Sequence, residues 1–400
     1  MQQRLWTAKH RTSERMMKRS VLIIIATAFM SVAFGYTMPL LALTLKSAGA
    51  TQTQIGISAC APSLAIILTG FSSRRLIELL GYKKILAFST LVLCSGLFIL
   101  EQSNNLYVWF AVRACIGATN GMLWIALESL LNHSTPALIK GRVIGIYTAA
   151  TTFSLAMGSM IPIDTAALER AFFTSALLFC IGVAICYLSG SLILPEEKGA
   201  TLGLAVKSLG KMPVECAIAT CGGALVAAQI TLLPASTPVN MNGLTGKDLL
   251  STTLLGSAVA QILMGITADK LGVYKSAFII TTAGILLSHL MWMSGHGVGS
   301  EVLYFLWGGI CSVLYGLALI MFGLRARPDE LMTGNAGLLL LYETGSLLGP
   351  VTGGVLHDIL GISSLPIVSA LAFYIILSFL IFNKQTKIIV LLRGIIEFKR

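Results

Sequence analysis

Charge is scarce in this chain. Only 17 of its 400 residues are acidic and 28 are basic, 11% together, against 56% apolar residues and a mean hydropathy of +0.84. So little charge cannot cover a water-soluble fold of this length, which excludes the soluble classes and leaves a membrane protein. Patterns that hold metals are missing as well. The eight cysteines form no CxxC pair, the five histidines (His10, His133, His289, His296, His357) are scattered, and no HExxH occurs. Neither a metal nor another cofactor is expected, and the cysteines read as small packing residues within apolar runs. There is no GxxxxGK[ST] loop, no cluster of carboxylates and no soluble catalytic stretch, so the reading is not an enzyme.

What the sequence does have is long apolar runs. With about 20 apolar residues per crossing, twelve spans are expected, centred near Phe34, Ile66, Leu93, Gly117, Thr152, Gly182, Leu225, Leu255, Gly284, Cys311, Tyr342 and Phe373. The first begins near Val21, too long for a signal peptide and without a small-residue cleavage site, so it is retained. Loop charge gives the orientation. If the amino terminus is inside, inner segments hold 24 of the 28 bases, while outer loops hold only Lys46, Arg170 and Lys247, and Arg113 lies within a span. Lys and Arg collect on the cytoplasmic side of inner-membrane proteins, so both termini are expected there, and the net charge of +11 reflects topology rather than nucleic acid. Trp109, Trp292 and Trp307 fall near expected outer span ends.

Punctuation residues repeat at one offset. Gly81 and Gly272 stand 191 apart, Pro136 and Pro328 192, Gly145 and Gly337 192, and Gly158 and Gly349 191. Weak internal symmetry of this sort accompanies transporters. The expected fold is an all-α membrane protein of twelve transmembrane helices in two six-helix halves. The expected boundaries are a basic cytoplasmic N-terminus (1–20), an N-terminal half (21–194), a cytoplasmic linker (195–211), a C-terminal half (212–383) and a basic cytoplasmic tail (384–400).

Between spans 8 and 9 stand Gly265, Asp269, Lys270, Gly272 and Lys275 in the spacing G-x-x-x-D-K-x-G-x-x-K, and the sister loop between spans 2 and 3 carries Glu78, Gly81 and Lys83 with Arg74 at the leading glycine position. A glycine lets helix ends approach, the acid can cap a helix or pair with a base, and the second glycine makes the turn. These loops, with the 6+6 repeat, resemble the cytoplasmic loop signature of the major facilitator superfamily. Glu128 to Asn132 with Gly141, Arg142, Gly145 and Tyr147, and Asn335 to Tyr342 with Gly345, Gly349 and Pro350, resemble its poorly characterised YcaD-type branch. The resemblance implies a secondary active transporter in the inner membrane that moves a small-molecule solute by alternating access, driven by protons or another ion as symporter or antiporter, with export favoured over uptake. A membrane-embedded receptor or enzyme is the alternative class. The other expected partners are the lipid bilayer and no second copy, the protein working as a monomer. Gly345, Gly349, Pro350, Gly353 and Gly354 also resemble the antiporter motif, displaced from span 5 to span 11. Close helix packing explains the same glycines.

Charges inside spans single out site residues, since each costs about 2.5–3.5 kcal/mol even on a lenient insertion scale. Arg113 lies about 10 Å into span 4. Arg113, Gly117, Asn120, Gly121, Trp124 and Glu128 recur at steps of three and four, one helical face that must line something. Arg113, Asn120 and Trp124, with Gln229, Tyr304 and Tyr315, are the expected substrate cavity, although Arg113 satisfied by helix-end carbonyls or snorkelling outward is an open alternative. Glu343 is the midplane acid expected, with Arg113, to couple protons, because burial favours a neutral carboxyl that can load and release one. A permanently protonated, hydrogen-bonded Glu343 is equally compatible. Glu128 and Glu215 read as solvated acids at span ends, and His289 as a packing histidine. Glu78, Gly81, Lys83, Gly265, Asp269, Lys270, Gly272 and Lys275 are the expected cytoplasmic gate, with Arg325 or Arg327 as the partner of Asp269.

Overall fold

The computed structural model describes residues 2–135, 140–164, 167–188, 209–236, 245–294, 300–327, 330–360 and 364–382. Most of the expected linker, the tail, Pro136 and Pro328 lie outside them. Among the described residues there are twelve α-helices and no strand: α1 (Gln2–Ser47), α2 (Gln52–Leu80), α3 (Tyr82–Gln102), α4 (Leu106–Ser134), α5 (Lys140–Met160), α6 (Leu168–Leu188), α7 (Pro213–Ser236), α8 (Gly246–Leu271), α9 (Val273–Ser294), α10 (Ser300–Gly323), α11 (Leu331–Leu360) and α12 (Ser364–Phe382). In lipid a backbone must satisfy its own polar groups, and helices do so. Side-chain hydroxyls follow the same rule, as Thr27, Thr37 and Thr44 donate to carbonyls four residues back on α1.

Eleven of these helices are long and apolar enough to cross a bilayer. The exception to the twelve expected is α11, whose Asn335, Glu343 and six glycines dilute its apolar content. At 46 residues α1 is about 69 Å long, and only Met17–Ser47 of it forms the candidate span. Turn chemistry sets several boundaries. Gly81 and Gly272 take φ of 77° and 81°, so each makes a sharp step into the next helix that a side chain would strain. A capping box of Thr245 and Asp248 starts α8.

The chain separates into two compact units, Met1–Ala50 with Ala61–Gly199, and Thr51–Cys60 with Ala200–Arg400. Within the first, α1 packs on α5 and α6, and α3 on α4 and α6. A methyl on Gly158 would overlap the Val32 carbonyl, and one on Gly117 would overlap Pro62. Ser20 Oγ donates to the Ser134 carbonyl at 2.9 Å and shares a hydrogen bond with Thr135 at 3.1 Å, closing α1 against α4. Within the second unit, α7 packs on α11, α8 on α10 and α9 on α12. Here a methyl on Gly349 would overlap the Ala224 carbonyl, and one on Gly308 the Thr253 carbonyl. These crossings carry the 191 to 192 offset on both partners, Val32 to Ala224 and Pro62 to Thr253 included.

The three tryptophans read near span ends are placed differently from one another. Trp109 and Trp307 are buried, and their indoles donate to the Ser103 carbonyl and to Ser369 Oγ at 2.6 and 2.7 Å, whereas Trp292 is exposed. Closeness to a span end does not say which side of the helix a residue occupies. Cys115 is also exposed rather than packed, while Cys60, Cys186, Cys221 and Cys311 are buried.

Candidate functional site

The polar face read along span 4 exists on α4, but it serves two purposes. Its glycines go into packing, Gly117 against Pro62 and Gly121 against the Ile66 side chain of α2. The other polar side chains of that face lie beside them. Arg113 and Asn120 are each 6% exposed, and Asn120 Oδ1 has no hydrogen-bond partner. Trp124 is half-buried, its ring 6.0 Å from that of Phe34 on α1. Glu128 is exposed although it sits within the candidate span Leu106–Leu131, which calls for water or a polar neighbour at that point.

The second unit places the other candidates. Gln229 on α7 is 3% exposed, with Nε2 lacking a partner. Tyr304 on α10 is buried, edge-on to Trp307 at 5.9 Å. Tyr315 is half-buried, its ring 4.8 Å from that of Tyr342, and Glu343 follows on α11, half-buried too. The structure therefore brings Tyr315, Tyr342 and the Glu343 segment together, and it places Gln229 and Tyr304 inside helix packing. His289 is half-buried, its Nδ1 2.8 Å from the Ile285 carbonyl and its ring edge-on to Tyr374.

Of the expected gate, Gly81 and Gly272 make the turns, Lys83 and Lys270 are exposed, Lys275 is half-buried and Gly265 has open space around it. The side chains of Glu78 and Asp269 lie outside the described residues. Arg327 is exposed, and its backbone N–H donates to Glu330 at 3.2 Å. Arg325 is committed elsewhere: its Nη1 bonds Glu215 Oε1 at 2.8 Å, and its Nη2 approaches the Lys211 carbonyl at 3.4 Å. The expectation of a solvated Glu215 is thereby corrected. Its side chain is 0% exposed in the first turn of α7, where the helix dipole and Arg325 both favour a negative charge. The glycines of α11 are packing devices as well, with Gly345 set on the Thr220 carbonyl and Gly353 on Leu232 of α7.

The profile of the Major Facilitator Superfamily matches residues 23–235, more than half of the chain. The chain belongs to the Major Facilitator Superfamily. Similar proteins include the uncharacterized MFS-type transporter YcaD of Escherichia fergusonii, 24% identical over 71% of this chain and 73% of that protein, and YfkF of Bacillus subtilis, 21% identical over 83% and 87%. Among solved structures, the nucleoside transporter NupG is 14% identical with a TM-score of 0.69, covering 92% of this chain and 99% of that one. A bacterial homologue of the human lysosomal transporter Spinster, inward-facing and unoccupied, is 12% identical with a TM-score of 0.67, covering 92% and 94%. A variant of the E. coli fucose:proton symporter FucP is 15% identical with a TM-score of 0.59, covering 93% and 100%. As a superfamily member with eleven candidate spans, the protein is an integral membrane transporter.

Proposed function

We propose that the protein is a secondary active transporter that carries a small solute across the inner membrane by alternating access of two six-helix halves, with proton coupling and with both termini cytoplasmic. The observation that carries the reading is Arg113, buried within a candidate span on the same α4 face as Asn120 and Trp124. A guanidinium held there is retained for a charge it meets during transport, either an anionic group of the solute or a carboxylate that titrates. Gln229, Tyr304 and Tyr315 are the matching candidates in the second unit. Glu343 is the proposed proton carrier, next in sequence to Tyr342, whose ring packs on that of Tyr315. The shared 191 to 192 offset of the glycine crossings supports a parallel repeat, and the proton named for one structural neighbour supports the choice of ion. Export is favoured over uptake, and the working unit is a monomer. Asp269, in the last turn of α8, is proposed to hold the cytoplasmic side closed.

Comparing the metabolites of cells lacking and overproducing the protein identifies the solute, and proteoliposomes with an imposed pH gradient then test the mechanism. Arg113→Ala is expected to abolish transport. Glu343→Gln is expected to remove the response to the gradient while sparing solute exchange at fixed pH, and normal gradient-driven accumulation by that variant refutes the coupling role.

A further inference from the structure

A groove of about 190 Å³ runs between α9 and α12 within the second unit, bordered by His289 and Trp292 on one helix and by Pro366, Ala370, Leu371 and Tyr374 on the other. Both helices are candidate spans, and Trp292 and Leu371 are each 55% exposed, so the groove opens toward the bilayer. A surface that meets hydrocarbon is ordinarily apolar, because a polar group there finds no water to bond. Three polar side chains border this one nonetheless. His289 Nδ1 donates to the Ile285 carbonyl at 2.8 Å, since a carbonyl only accepts. A charged ring is costly against lipid, so the imidazole is neutral and its Nε2 is left as an acceptor. Among the described residues, the Trp292 N–H and the Tyr374 hydroxyl have no hydrogen-bond partner. Ser288, which also borders the groove, already donates to Ser369 Oγ at 2.9 Å.

The first unit packs α3 on α6 as the second packs α9 on α12, but with different contents. The offset of 191 puts Phe98 and Val183 at the positions of His289 and Tyr374, and Phe179, 1% exposed, at that of Ala370. Where one unit buries a large ring, the other leaves space and gives it polar edges. The size and the edges describe an occupant. A dry cavity of about 150 Å³ accepts a benzene ring, so this space suits one substituted six-membered ring, packed against the rings of Trp292 and Tyr374. His289 Nε2 requires a donor, and the Trp292 N–H and Tyr374 O–H require acceptors. The His289 and Tyr374 rings are edge-on at 5.9 Å, so the acceptor and one donor stand side by side. An aromatic hydroxyl serves both from a single oxygen, its O–H to Nε2 and its lone pairs to Tyr374 or Trp292. An acyl chain fills the same volume and leaves all three groups unpaired.

We propose that the α9–α12 groove is a binding site for a membrane-dissolved phenol, a lipid-soluble molecule headed by one hydroxylated aromatic ring, with His289 accepting from its hydroxyl. The ligand enters from the bilayer, and its apolar tail stays there. The site stands apart from the proposed solute cavity, and it does not depend on what is transported or on coupling.

A 4-alkylphenol carrying a diazirine on its alkyl chain, added to the full-length protein in proteoliposomes and activated by light, tests the site without any solute. Label is expected on peptides covering 285–294 and 364–375. Unlabelled 4-octylphenol is expected to compete about tenfold better than 4-octylanisole, which keeps the ring and the oxygen but has no O–H to donate. His289→Phe, which installs the residue found at 98, is expected to erase that difference, and Tyr374→Phe to lower the labelling in part. Ala370→Phe fills the space and is expected to abolish labelling. The first two variants keep a ring of similar size, so the test does not hang on the bulkier one folding. Label spread evenly over the exposed faces of α3, α6, α9 and α12 overturns the site, as does full labelling of Ala370→Phe. Equal competition by the anisole in the wild type is the behaviour of a groove filled by acyl chains and overturns it too. Label that vanishes as the ratio of protein to lipid is raised marks a face covered by a second copy of the chain, which is equally incompatible with the proposal.

Discussion

The two units close the same junction with different chemistry. In the first, α1 meets the end of α4 through hydroxyls, Ser20 to the Ser134 carbonyl and to Thr135. In the second, α7 meets the end of α10 through an ion pair, Glu215 to Arg325. Ser134 and Arg325 stand 191 apart, the offset that also relates the turn glycines and the glycine crossings. Hydroxyl bonds cost little to desolvate and little to lose. The ion pair is expensive to bury, and once a fully covered carboxylate depends on it, breaking one side strands the other. Glu215 Oε2 has no hydrogen-bond partner even with Arg325 present, so the ion pair engages only one of its oxygens. A repeated backbone thus keeps its crossing points while the side chains that fasten it are free to diverge.

The largest effect expected from this comparison belongs to Arg325→Ala. It leaves Glu215 buried and unpaired, at about 3–5 kcal/mol, visible as a lowered melting temperature of the purified protein in detergent. Adding Glu215→Gln removes the stranded charge and is expected to return part of the loss. A single variant melting within about 2 °C of wild type shows that the pair holds nothing.

Next come Gly158→Ala and Gly349→Ala. Each drives a methyl into a backbone carbonyl of the neighbouring helix, for which overpacking costs of about 1–3 kcal/mol are expected. The comparison predicts similar losses, measured by the same melting assay, and a loss at only one of them shows that the crossings are not equivalent. The smallest effect is that of Ser20→Ala, about 1 kcal/mol. If Ser20→Ala destabilises as much as Arg325→Ala, the contrast between a neutral and an ionic clamp fails.

Much of the fold was legible because it is written in local terms. Runs of apolar residues specify helices, and Gly81 and Gly272 announce their turns by spacing alone. The polar face of α4, the candidate site, was legible for the same reason, since steps of three and four place Arg113, Asn120 and Trp124 together on a helix. Periodicity could not show that Gly117 and Gly121 on that face are used for packing against α2, because a glycine stripe looks the same whether it meets a helix or a cavity. Glu215 was misread because an acid in the first turn of a helix is ordinarily wet, and its partner lies 110 residues away. At the start of α2, Asp358 from the last turn of α11 accepts from the Gln52 and Thr53 N–H groups at 3.0 and 2.9 Å, and this contact left no signal in the sequence at all. The helix start already has a local capping box, Thr51 N–H to Gln54 Oε1 and Gln54 N–H to Thr51 Oγ1, and nothing near α2 hints at a carboxylate from α11.

That separation along the chain has a consequence for how the protein is made. Gln52 and Asp358 are 306 residues apart. At about 5–20 residues per second, synthesis takes roughly 15–60 s to pass from one to the other. Throughout that interval the start of α2 has left the ribosome while its distant acceptor has not, and only water and the local capping box can serve its amides. A nascent chain can tolerate the wait only if this end of α2 stays at the aqueous boundary from the moment of insertion. Completion of the helix start is therefore among the last events of assembly.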